Sequence, residues 1–154
     1  MKISMIGCAV AIMVGTAAPA SAAQSDPEII IYRASGVLDT GTFVGGVATV
    51  FQCTNVSTVS ESLRFVIRNF NSVIVVNASF LVPSFQTQTA STNFTALFGN
   101  PTISAGQSVN GTVAIAATTP NIFCTARTVD ASAAVPSGII LPMVRFNPMA
   151  GSQE

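Results

Sequence analysis

Val47-Ala48-Thr49-Val50-Phe51-Gln52-Cys53-Thr54 and, far downstream, Ile122-Phe123-Cys124-Thr125-Ala126-Arg127-Thr128 decide the fold. Both runs are rich in β-branched and aromatic residues, which pack well on a pleated surface, so both read as strands. Each carries one cysteine near its middle. If the sulfurs bond, they tie two strands from opposite ends of the sequence across one core. The other reading is a pair of buried free thiols.

The rest of the chain repeats the pattern of short strands and turns. Leu63, Phe65 and Ile67 alternate with Arg64, Val66 and Arg68, a period of two with apolar residues on one face. Phe70-Asn71-Ser72 then turns the chain into a second strand over 73–82, a hairpin that Pro83 ends. Upstream, 29–33 is a first strand, Gly36 and Asp39-Thr40-Gly41 mark a turn, and Gly45-Gly46 bends or bulges the entry to the first cysteine strand. Residues 85–94 form a polar, threonine-rich run, and Gly99-Asn100-Pro101 breaks it. A strand over 109–117, interrupted by Gly111, leads through Thr119-Pro120-Asn121 into the second cysteine strand. A last strand covers 139–146, with Pro142 inside it arguing for an edge position or a bulge. No long stretch has the 3.6-residue period of an amphipathic helix. The expectation is an all-β, immunoglobulin-like sandwich of seven to eight antiparallel strands with one inter-sheet disulfide, Cys53–Cys124. The departures from antibody domains are plain: no tryptophan follows Cys53, and Ile122 stands where a tyrosine usually precedes the second cysteine.

The first residues read as a signal peptide over 1–22. Lys2 is the only early charge, 3–14 is apolar, and the small residues through Ala22 supply a cleavage site. An uncleaved anchor is the competing reading, but the apolar centre is short and Pro19 interrupts its end. Residues 23–154 then form one domain, secreted or periplasmic, with no membrane contact after cleavage. That domain has five arginines (33, 64, 68, 127, 145), six acids (26, 28, 39, 61, 130, 154) and no lysine, a formal balance of minus one. Such a balance does not suit a nucleic-acid binder. Charged residues make up only 8% of the whole chain, against about 25% on average, so Ser, Thr, Asn and Gln must cover the surface. The domain, including its ending Val144-Arg145-Phe146-Asn147-Pro148, resembles small exported bacterial β-sandwich proteins of unassigned function. The resemblance implies export and brings no site.

Histidine is absent, which removes the usual general base and the commonest metal ligand. Without lysine, Schiff-base chemistry goes too. With the two cysteines spent on a bridge, a carboxylate pair is the only catalytic arrangement left, and nothing in the spacing of the acids sets two together. No phosphate-cradling loop or calcium loop is present, so no cofactor and no metal is expected. Asn-x-Ser/Thr triplets stand at Asn55, Asn77, Asn93 and Asn110.

One constellation carries a binding reading. With Leu63, Phe65, Ile67 and Cys124 inward, alternation sends Arg64, Arg68 and Arg127 outward. With Val144 and Phe146 inward, Arg145 follows. In an immunoglobulin-like sandwich these strands are neighbours, and the four guanidinium forks would make one anion-binding face for an acidic glycan or an acidic protein partner. The plainer reading is that they solubilise an apolar face, pairing with Glu61 or Asp130. The expected function is that of a non-enzymatic binding or structural protein of the cell envelope or extracellular space, self-assembly included, acting through strand faces or edges. The alternative is a carboxylate-based polysaccharide hydrolase, which needs two acids close together in a cleft.

Overall fold

The computed structural model describes residues 28–40, 46–98, 103–135 and 137–146. The expected signal peptide and the Gly41 and Gly45 turn positions lie outside them. Nine strands appear: β1 (Ile29–Asp39), β2 (Val47–Asn55), β3 (Glu61–Asn69), β4 (Ile74–Val82), β5 (Thr87–Ser91), β6 (Val109–Ala117), β7 (Ile122–Asp130), β8 (Gly138–Ile140) and β9 (Val144–Arg145). All pairings are antiparallel, and no helix occurs among the described residues.

The strands form one hydrogen-bonded network in the order β4-β3-β6-β1-β2-β7-β8, with β5 also paired to β2 and β9 to β1. β1 and β2 meet at a single register position, Asp39 opposite Ala48. The network therefore folds about that seam. Phe51 of β2 and Phe65 of β3 share no ladder, yet their ring centroids lie 5.4 Å apart, so the two halves pack face to face. One apolar cluster fills the space between, with contributions from β1 to β7.

Alternation explains the core. Leu63, Phe65 and Ile67 are fully buried while Arg64, Val66 and Arg68 are not. Each such large side chain contributes roughly 1.5–3 kcal/mol on leaving water. β2 departs from simple alternation. Phe51 and Cys53 enter the main core, while Ala48 and Val50 join Val129, Ala131 and Phe98 in a second cluster. Segment 92–98 covers that outer face, and so β2 is buried on both sides.

The disulfide forms, but its placement corrects the expectation. Cys53 and Cys124 are directly opposed in the β2–β7 ladder, with Cα atoms 4.1 Å apart, so the bond lies within one layer and not between sheets. Alternation sets the face each sulfur takes, and two core-facing residues opposed on neighbouring strands are already within reach of each other.

Two other sequence readings shift. Gly36 does not end the first strand. It sits at φ +82° in a β-bulge between Ser35 and Val37, and β1 runs on to Asp39. The single last strand becomes two: β8 pairs with β7, β9 pairs with β1, and Pro142 lies at the crossing. That division gives nine strands where seven or eight were expected. Gly111 keeps its place in β6 because a Cβ there would lie 1.9 Å from the Arg68 carbonyl oxygen.

The bond closes a separation of 71 residues. Replacing both cysteines by alanine is expected to lower stability by roughly 4 kcal/mol on the chain-entropy argument. Urea unfolding of the double variant against the oxidised protein measures it; a loss under about 1 kcal/mol would mean the unfolded chain is not restrained in this way.

Candidate functional site

The four arginines do not assemble into one face. β3 has β4 and β6 as neighbours, β7 has β2 and β8, and β9 has β1. Arg64 and Arg68 thus stand in a different ladder from Arg127, because β6, β1 and β2 intervene. Each guanidinium also has its own partner within the chain. Arg64 forms an ion pair with Glu28, which in turn accepts a hydrogen bond from the Ser62 hydroxyl. Arg68 donates to the Ser72 carbonyl. Arg127 donates to Gln52 Oε1 and lies over the Phe98 ring, on the face that 92–98 covers. Arg145 lies over both Tyr32 and Phe123, 5.6 and 4.8 Å from their centroids, and donates to the Pro120 carbonyl. The expected inward turn of Val144 does not occur, since it is 64% exposed. These contacts favour arginine as a packing element that also keeps its charge wet.

The described acids take separate posts. Glu61 shares the parity of Leu63 and Phe65; it is buried and accepts hydrogen bonds from Ser57 and Thr118. Glu28 is held by Ser62 and Arg64, residues of the opposite parity. The two carboxylates therefore attend opposite faces of β3. Asp39 is buried at the seam opposite Ala48, and Asp130 lies opposite Val47 on the other side of β2. The Ser132 hydroxyl, joined by its backbone amide, holds the Asp130 carboxyl below the usual carboxylate range. Asp130 is the one acid lining a shallow, open depression of about 590 Å³ beside Gly46, Thr128, Ser137 and Ile139. Its walls are mainly apolar and offer one charged group.

Sequence reading missed the buried polar residues. Thr49 and Thr92 are both buried. The Thr49 hydroxyl accepts from the Leu38 amide, while the Thr92 hydroxyl accepts from the Thr49 amide and donates to the Leu38 carbonyl. This knot satisfies backbone groups where β1 leaves β2 with almost no ladder. Asn55, first of the Asn-x-Ser/Thr triplets, is wholly buried, and its amide nitrogen donates to the carbonyls of Val59, Val82 and Pro83. Asn93 is buried as well, whereas Asn77 and Asn110 are exposed.

What the molecule does present is sheet edge and apolar surface. β4 ends the network on one side, with Leu81 69% exposed. β8 ends it on the other, with Ile139 and Ile140 about 80% exposed. Compared with known proteins, the chain matches no family model, no curated protein and no solved structure.

Asn55→Ala is expected to cost about 2–3 kcal/mol, because three buried or half-buried carbonyls lose their donor. Arg68→Ala, which removes one exposed hydrogen bond, should cost less than about 0.5 kcal/mol. Denaturant unfolding of the two variants side by side checks the order.

Proposed function

We propose that this chain is an exported, non-enzymatic binding or structural protein of the cell envelope or extracellular space, and that it works by pairing sheet edges. Export is supported by the leader-like N-terminal sequence and by a buried disulfide, which forms and persists in oxidising compartments. No helix among the described residues is long and apolar enough to cross a membrane. We read the two-layered body as immunoglobulin-like in its architecture, with the bridge moved into one layer, and as akin to small exported bacterial β-sandwich proteins.

The observation that carries the proposal is the edge of β4. A bulge at Val75 kinks its start, but Val76–Val82 then runs in regular register against β3 with no charged residue and no proline. Natural edge strands are usually blunted by such residues. The partner we assign is a second copy of the same edge. Two antiparallel strands related by a two-fold axis offer each other the same row of N–H and C=O groups, so the edge is its own complement. Asn77, Ser79 and Leu81 on its exposed face bring no like charges together. The contacts of the arginines and the separate posts of the acids favour neither the anion-binding reading nor the hydrolase.

The double variant Ser79→Lys/Leu81→Lys places charges along this edge without touching the core. It should weaken self-association of the mature domain at least about tenfold. Sedimentation velocity over a concentration series reads it. A wild-type domain that stays monomeric into the millimolar range would overturn the proposal.

A further inference from the structure

Residues 138–146 form a strap that leaves one layer and ends on the other. β8 adds three residues to the edge of β7, the Leu141 amide donates to the Ala126 carbonyl, β9 adds two residues to β1, and the Phe146 amide donates to the Ile31 carbonyl. Main-chain bonds thus fix both ends. Between them the side chains alternate. Leu141 and Met143 pack against the core, Arg145 sits over Tyr32 and Phe123, and Pro142 and Val144 point to solvent. Leu141 has a shaped seat: its Cδ1 lies 3.3 Å from where a Cβ on Gly36 would be, and the Gly36 bulge leaves that space open. This is how added strands are recognised elsewhere, with backbone bonds for affinity and pockets for alternate side chains.

The strap also leaves much of its apolar surface in water. Ile139, Ile140 and Val144 stay 79%, 80% and 64% exposed, so they add little burial. β2 and β7, by contrast, are paired along their length and joined by the disulfide. The sequence joining β7 to β8, residues 131–137, is Ala-Ser-Ala-Ala-Val-Pro-Ser.

We infer that the cleft between β1 and β7 is a strand-acceptor site that reads apolar-x-apolar-x-Arg, and that its exchange occupant is the 138–146 segment of a second copy. The complementarity is displayed by the chain itself, since the strap already fills the cleft in the required register. Exchange keeps every contact and changes only which molecule supplies the strap. This inference does not depend on β4 pairing, and the two fail separately.

The test uses full-length protein carrying Ser79→Lys/Leu81→Lys, which removes β4 as a competing edge. A fluorescent peptide of residues 138–146 is titrated by anisotropy into this protein and into a version that also carries Arg145→Ala. Weakening the resident strap should make the peptide bind at least about tenfold more tightly, the worth of roughly 1.4 kcal/mol of cation–π contact. An Arg145→Ala peptide should lose that gain. In parallel, deleting Ala133 and Ala134 shortens the tether, and light scattering should then show a particle of twice the monomer mass. Peptide binding that ignores both Arg145 changes, or no binding at millimolar peptide, would overturn the acceptor site. A folded, monomeric short-tether protein would overturn the exchange between copies.

Discussion

The contact between Phe51 and Phe65 is the interaction the two-layered body depends on. Their strands share no backbone hydrogen bond, and β1 and β2 meet in ladder register only at Asp39 and Ala48 among the described residues. Side-chain packing, together with the strap over 138–146, then holds layer to layer. The disulfide has a different task. It fastens β2 to β7, strands 71 residues apart in sequence that are already neighbours in one ladder. Covalent restraint within a layer and apolar burial between layers divide the work. Phe80 extends the same stack, edge-on to Phe65 at 5.9 Å, so the aromatic contact reaches the outermost strand of its layer.

Folding a network over a nearly unpaired seam leaves backbone groups to satisfy, and this chain does so with neutral side chains. Thr49 and Thr92 serve Leu38, and Asn55 serves three carbonyls at the far end of β2. Hydroxyls and amides can be buried once they are hydrogen-bonded, whereas charges need a partner and still bear a desolvation cost. A chain with so few charges has therefore spent its polar atoms on accounting for its own backbone. The few arginines follow the same economy, since Arg127 and Arg145 cover aromatic rings as well as keeping a charge at the surface.

Much of the fold was legible in the sequence because a period of two reports a half-buried strand directly. Leu63, Phe65 and Ile67 turned inward as read, 109–117 is β6, and both cysteine runs are strands. Periodicity gives the face of a residue but not the neighbour of its strand. It therefore leaves open whether the two cysteines sit in one layer or two, and whether the arginines share a face. Local breakers misled for a related reason. Gly36 has the same signature in a turn as in a bulge, and only the β6 partner across from it decides between them. Pro142 points to an edge position or a bulge, and β8 is an edge strand, but the proline also marks where the chain changes layers. The candidate strap was hidden for the same cause: its alternating anchors, Leu141, Met143 and Arg145, mean nothing until β1 and β7 are known to flank them.

The two ends of the network handle their exposed edges in opposite ways. On the β7 side three residues of β8 pair with Arg127, Thr128 and Val129, and the chain then leaves at once for the other layer. On the β4 side nothing among the described residues follows, and the strand past its bulge is neither charged nor interrupted. A monomer selected only for solubility would be expected to guard both edges. Here two edge strands of equal length are treated differently, one carrying a three-residue cap and the other left open among the described residues, an asymmetry that makes sense if the open edge is used.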